Sequence, residues 1–272
     1  MSAKKTKQPE IIAIANQKGG VGKTTTTVNL AAALAKIHHK KVLLIDMDAQ
    51  GNATTSVGIS KNAQAHTIAD VLLDELPLVS AIVSTEVGFD VVGANRDLAG
   101  LDVSLSGVAD APLRLKNAIA TACASLEFVY DYILIDTAPS LSLVTLNAMA
   151  ATSGVIIPMQ CEYYALEGVA DLLYTIERLT AINPDLKVRG VVRTLFDNRN
   201  MLSQDVSAEL LTHFGELVYQ TVIPRNIRLA EAPSFGQSIF EHQKSSKGAR
   251  AYQKLADEVI RQSEQPSLLE TK

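Results

Sequence analysis

The stretch ANQKGGVGKTTTTVN, residues 15–29, decides how this chain is read. The pattern G-x-x-x-x-G-K-[ST] fits it only if Gly22, Lys23 and Thr24 form the ending, which puts Gln17 where the first glycine should stand. In such a loop Gly19, Gly20 and Gly22, with Val21 between them, let backbone amides curl around phosphate oxygens. The dipole of the helix that follows adds positive potential. Lys23 is expected to reach the β- and γ-phosphates, the Thr24 hydroxyl to ligate Mg²⁺, and Thr25 to complete the cradle. Gln17 is tolerable there provided its backbone is not left-handed. Lys18 is the unexpected residue. At the mouth of the loop it is placed to reach across an interface to phosphates held by a second subunit, the plain alternative being a solvated lysine.

Outward from the loop, apolar β-rich runs alternate with helical patterns. EIIAIAN (10–16) reads as a first strand and KTTTTVNLAAALAKI (23–37) as the helix after it. Further strands are expected at 40–46, 130–136, 153–159, 186–196 and 218–224, with helices near 141–151, 163–181, 203–214 and 246–262. Nearly continuous apolar strands separated by helices indicate an α/β fold, a doubly wound, mostly parallel sheet covered on both faces. The segment 60–125 is the least legible, with helical pieces near 67–74 and 112–125 and a possible strand at 88–93. The expected organisation is a polar tail over 1–9, one ATPase-type domain over 10–262 and a frayed tail over 263–272.

A length of 272 residues, with 47% hydrophobic and 20% charged, suits one large domain with a sizeable core. The two cysteines, Cys123 and Cys161, have no metal-ligand spacing and read as buried small residues in a reduced, cytoplasmic setting. No apolar run approaches the ~18 residues that span a bilayer. The net charge of −4 argues against nucleic acid, but its distribution does not. Residues 187–254 carry ten Lys or Arg against six Asp or Glu, +4, which leaves −8 for the rest. Such asymmetry points to an anionic partner for one face.

KGGVGKTT (18–25) resembles the deviant Walker A motif of the ParA/MinD ATPase superfamily, in which the early lysine acts across the subunit boundary. The likeness runs from about residue 10 to 262. IDMDAQGNAT (45–54) looks like the family's switch segment, with Asp46 at the strand end and Asp48 where the water-activating carboxylate belongs. YILIDTAPS (132–140) looks like its Walker B segment, delivering Asp136 to the Mg²⁺ shell, in which Asp48 and Thr24 are also expected. DAQGNAT resembles the partition branch, ParA and its short chromosomal form Soj, with Ala49 in place of the usual proline. TLFDNRNMLS (194–203) and VIPRNIRLAEAPSFGQSI (222–239) strengthen that likeness. They imply that Arg199 and Arg228 bind DNA without sequence preference, with Lys247 and Arg250 as additions, and that Pro224 and Arg225 lie near the adenine.

The resemblance implies an ATP-dependent molecular switch for DNA segregation. ATP, ADP and Mg²⁺ are its cofactors, and a slow intrinsic ATPase is expected. Mg·ATP drives a sandwich homodimer, the dimer coats non-specific DNA at the nucleoid, and a ParB/Spo0J-type centromere-binding protein stimulates hydrolysis and release. A few cations per subunit, doubled by dimerisation, suffice for a salt-dependent phosphate contact. Four other readings stand beside it. A division-site positioner of the MinD kind would need the basic amphipathic membrane helix that KLADEVIRQSEQPSLLETK does not resemble, and related cargo-positioning ATPases share every motif. A metabolic synthetase on the same fold would use ATP to activate a small carboxylate. A binding module with a dead site would lack Lys23, Asp48 or Asp136, and all three are present.

Overall fold

A computed structural model of the chain describes residues 8–264. Its eight strands are β1 (Glu10–Ile14), β2 (Val42–Met47), β3 (Ile82–Ser84), β4 (Asp90–Val92), β5 (Tyr132–Thr137), β6 (Gly154–Gln160), β7 (Lys187–Phe196) and β8 (Val218–Pro224). The helices are α1 (Lys23–Lys36), α2 (Asn52–Ser56), α3 (Ile68–Leu72), α4 (Leu101–Ser104), α5 (Arg114–Ser125), α6 (Leu143–Ala151), α7 (Ala165–Leu179), α8 (Met201–Phe214), α9 (Ile227–Glu231), α10 (Ile239–His242) and α11 (Lys247–Glu264). The strands form one sheet in the order β3-β4-β2-β5-β1-β6-β7-β8. Every pairing is parallel except β3 with β4.

Alternation along the strands builds two cores, because successive side chains leave a strand on opposite faces. Ile12, Ile14, Leu44, Leu134 and Ile156 join the cluster that includes residues of α1 and α11. Ala13, Leu43, Ile45, Ile133, Ile135 and Val155 join the cluster that includes residues of α3, α5, α6, α7 and α8. Burial on both faces is why these strands read as unbroken apolar runs. The expected doubly wound fold is the observed one.

The elements expected outside 60–125 all form, within three residues of their sequence bounds. Inside that segment β4, α3 and α5 match the three pieces foreseen. Not foreseen are the antiparallel edge strand β3 and the short helices α2, α4, α9 and α10, each of five residues or fewer and too short for a periodic signal. The last helix runs to Glu264, two residues beyond the boundary expected at 262. The rest of both expected tails, 1–7 and 265–272, lies outside the described residues. Cys161 is buried, at 3% exposure, whereas Cys123 is only half-buried, so the expectation of two buried thiols holds for one. Among the described residues no helix is long and apolar enough to cross a membrane.

Candidate functional site

The centre of a parallel sheet is where carboxyl ends of neighbouring strands and the turns after them converge, and ligands bind at that edge. Here β1 lies between β5 and β6, and β5 between β1 and β2. Register sets Asp46 of β2 beside Asp136 of β5, and Ile14 of β1 beside Asp136 on its other side. The loop from 15 to 22 therefore leaves the sheet next to Asp136, with Asp46 one strand further on.

The loop has the backbone its glycines permit. Gly20 (φ 75°) and Gly22 (φ 87°) are left-handed, a conformation costly for residues with a Cβ. Gln17 is not among the left-handed residues, so a non-glycine is accommodated at that position. A buried frame holds the loop. The Asn16 amide donates to the Pro158 carbonyl (2.7 Å) while its Oδ1 accepts from the Lys18 amide (2.9 Å). The Thr194 hydroxyl donates to the Val21 carbonyl (2.7 Å). Just past Thr194 the backbone of Leu195 turns left-handed (φ 49°), uncommon for a leucine, where the pairing of β7 with β8 is irregular.

Within this frame the inner groups are buried and paired. The Thr24 hydroxyl donates to Asp136 Oδ2 (2.7 Å) and the Thr27 hydroxyl to Asp136 Oδ1 (2.8 Å). Asp136 is fully buried, and burial, with Asp46 beside it, raises its pKa above the ordinary carboxylate range. Asp46 is also fully buried, and burial raises its pKa too. Its oxygens accept from the Thr54 amide (2.9 Å), the Thr54 hydroxyl (2.7 Å) and the Asp48 amide (3.1 Å). Those bonds make Asp46 the anchor of the 48–54 turn. Asp48 is half-buried, and its Oδ1 accepts from the Gln50 amide (2.9 Å). Lys23 is buried and its Nζ donates to the Lys18 carbonyl (3.1 Å). Burial lowers its pKa, opposed by the charges of Asp136 and then Asp48.

The expected cation partners lie further out. Lys18 points away from its own loop, its Nζ 2.5 Å from Glu162 Oε2, with both side chains about half exposed (50% and 46%). Arg199 pairs with Asp197 (2.7 Å) and Arg228 with Glu231 (2.8 Å). Lys247 and Arg250 are exposed and have no ion-pair partner among the described residues. They line an open groove of about 1110 Å³ that also takes in Phe196, Asn198, Pro224 and Lys254. The Arg225 amide donates to the Phe196 carbonyl (3.0 Å), fixing the turn after β8. The structure thus gathers Lys23, Thr24, Asp46, Asp48 and Asp136 into one centre and puts Pro224, Lys247 and Arg250 in one groove. Arg199 and Arg228 line neither that groove nor the centre.

Sequence reasoning missed Asn16, Thr27, Thr54, Glu162 and Thr194. The threonine run Thr24–Thr27 carried a signal, since β-branched hydroxyl residues are poor helix formers and a run of them at a helix start suggests acceptors to bond. Glu162 and Thr194 have no local signal, their partners Lys18 and Val21 being distant in sequence.

The donor set suits a magnesium–nucleotide. Thr24 and Asp136 provide a hydroxyl and a carboxylate, the hard oxygen ligands Mg²⁺ takes together with substrate phosphates. The amides of Gly19 and Gly20, and those from Gly22 to Thr25, donate no hydrogen bond within the described residues, and Gly22, at the N-cap of α1, offers no side-chain acceptor. A Cβ at Gly19 or Gly20 would meet nothing within 4 Å, so the space above the loop is open.

Fold and centre together define a P-loop nucleoside triphosphatase of the doubly wound class. A family model described as AAA domain matches residues 9–188. The chromosome-partitioning ATPase Soj of Thermus thermophilus is 50% identical over 250 residues, covering 92% of this chain and 94% of that protein. The chromosome partitioning protein ParA of Caulobacter vibrioides is 48% identical over 252 residues, 92% and 93% of the two chains. Among solved structures, cobyrinic acid a,c-diamide synthase from Mycobacterium smegmatis with bound ATP analog and magnesium is similar with TM-score 0.82. It is 36% identical, over 95% of this chain and 97% of that one. The chain belongs to the ParA/Soj family of chromosome-partitioning ATPases.

Proposed function

We propose that this protein is a partition switch: it binds Mg·ATP, pairs face to face with a second copy, and in that state holds DNA without sequence preference. The observation that carries the reading is the contrast between the two loop lysines. Lys23 is buried within its own loop, whereas Lys18 leaves that loop and stands half exposed at its rim. A cation so placed serves a neighbour's phosphates better than its own.

In this reading the amides from Gly19 to Thr25 and the Lys23 ammonium hold the phosphates, with Thr24 and Asp136 on the metal. Bound magnesium supplies charge neutralisation at the β- and γ-phosphates. Asp136, protonated more readily than an ordinary carboxyl while the metal is absent, gives up that proton to act as a ligand. Asp48, held in its turn by Asp46 and the Gln50 amide, orients the attacking water. Phosphoryl transfer is governed by positioning, so a site that leaves Lys18 and Asp48 at the surface turns over slowly until its partners complete it. Pro224 and Arg225 border the base. Arg199, Arg228, Lys247 and Arg250 meet DNA phosphates, and a ParB-type protein on the centromere triggers hydrolysis. The nucleoid of the cytoplasm is then the working location.

The test is binding to random-sequence duplex DNA with ADP, ATP and a slowly hydrolysed ATP analogue across a salt series. Binding with ATP or the analogue alone, falling steeply with salt and equal on unrelated sequences, is the expected result. A second reading is favoured by the 36% identity to a protein described as a diamide synthase. It requires ATP turnover that rises with a small carboxylate substrate and ammonia or glutamine. Such turnover without DNA binding would replace the switch by a synthetase.

A further inference from the structure

The segment 226–242 carries Arg228 and is seated on two elements of the nucleotide centre. The first seat is on α1. Asn29, buried at 4% exposure, donates to the Thr25 carbonyl (2.8 Å) and accepts from the Ile239 amide (2.8 Å). One side chain thus ties the first turn of α1 to the start of α10. The second seat is on the turn after α2. Gly58 and Gly236 meet backbone to backbone, and a Cβ on Gly236 would lie 2.6 Å from the Gly58 Cα and 2.9 Å from its nitrogen. Gly58 follows α2, the helix whose Thr54 is fastened to Asp46. Beyond the seats, Phe235 stacks on His242 (5.0 Å between ring centroids), and His242 and Arg228 both approach Glu231, at 3.4 and 2.8 Å.

We infer that segment 226–242 is the read-out element of the switch, and that its seats at Gly58 and Asn29 make the placement of Arg228 depend on the nucleotide. This rests on the DNA-binding reading above. The two seats belong to different elements beside the centre, α1 after the phosphate loop and the turn after α2, the helix whose Thr54 is fastened to Asp46. A shift of one relative to the other moves or tilts the segment between them, because contacting backbones and a buried amide hydrogen bond yield little. Gly58 and Gly236 are positioning residues in this scheme and touch neither nucleotide nor DNA.

Two substitutions separate the contact from mere backbone strain. Both glycines are left-handed (φ 83° and 63°), so alanine strains either one. Only Gly236→Ala collides, since a Cβ on Gly58 meets its nearest atom, the Gly236 carbonyl oxygen, at an ordinary 3.5 Å. The measurement is a thermodynamic square on each full-length variant: affinity for random duplex DNA with ADP and with the slowly hydrolysed analogue, and affinity for the analogue with and without DNA. Linkage requires the two ratios to be equal, and couplings of this kind are typically ~5–150-fold. The expected result is that Gly236→Ala keeps wild-type affinity for the analogue without DNA while both ratios fall to the value that Arg228→Ala gives, and that Gly58→Ala keeps most of the wild-type ratio. Hydrogen exchange over 226–242 on adding the analogue supplies an independent readout, present in wild type and Gly58→Ala and absent in Gly236→Ala. The inference is overturned if Gly236→Ala keeps the wild-type ratio, if it loses analogue binding itself, or if the two variants behave alike. Absence of DNA binding by the wild type in every nucleotide state defeats the DNA reading instead.

Discussion

The inner and outer halves of the candidate site are built in opposite ways. Inside, Asp46 and Asp136 are fully buried and each is hydrogen-bonded by threonine hydroxyls fixed on a helix. Outside, Lys18, Arg199 and Arg228 are each held by one carboxylate in exposed or half-exposed pairs. A buried group left without its partner bears the whole desolvation penalty, so the inner half is rigid and set before any ligand arrives. An exposed pair is worth about 0–1 kcal/mol, so its cation changes partner at little cost. The difference matches the proposed division of labour, a buried half that holds a nucleotide and an exposed half that meets other macromolecules.

The largest effect is expected where the comparison is sharpest. Asp136→Asn removes the carboxylate proposed for the metal shell and should lower kcat for ATP hydrolysis by about 10²–10³-fold. The apo protein should become more stable, because a carboxyl that burial raises is replaced by a neutral group. Thermal melts without nucleotide check this, with Tm rising by about 2–4 °C for each kcal/mol relieved. A lower apo Tm would mean that the two threonine bonds outweigh the burial cost.

At the outer half, Lys18→Ala should leave monomer nucleotide affinity unchanged and weaken ATP-driven dimerisation by at least about tenfold, the worth of one well-placed cation on phosphate. Light scattering with the slowly hydrolysed analogue measures it. Equal dimerisation by wild type and variant would return Lys18 to the status of a solvated lysine. Glu162→Gln probes the same pair from the other end. Freed from its carboxylate, Lys18 should favour the dimer by up to about fivefold per subunit, the ceiling for an exposed pair. A dimer weakened by this change would show that Glu162 helps the pairing.

Acidity distinguishes the halves as well. The raised pKa values of Asp46 and Asp136 mean that the folded apo chain binds more protons than the unfolded chain once pH exceeds the ordinary carboxylate range. The slope of stability with pH is then negative, so this contribution is lost as pH rises through their folded values. Denaturant midpoints of the apo protein between mildly acidic and neutral pH should fall accordingly. The smallest effect belongs to the surface. Arg228→Ala should lower the salt slope of DNA binding by about one unit per phosphate contact removed, with little change in ATP affinity.

Legibility followed the range of the interaction. Lys23, Thr24 and Asp136 were readable because a strand, a glycine turn and a helix start write a phosphate loop into a few consecutive residues, and a second apolar strand ends in an aspartate. The long strands were readable because burial on both faces leaves an unbroken apolar run. β3 was not, since three residues at an antiparallel edge, of which two are exposed, carry no period. Glu162 was not read as the partner of Lys18, nor Gly236 as the partner of Gly58, because nothing local marks either contact.

By itself, then, the amino-acid order determined the fold class, the phosphate loop and the family, since each rests on dihedral preference, periodicity or short motif spacing. Only the tertiary structure decided what Lys18 holds and where the segment bearing Arg228 is seated. The chain order is silent on contacts that side chains and backbones make only after the sheet has brought residues more than a hundred positions apart to within a few ångströms.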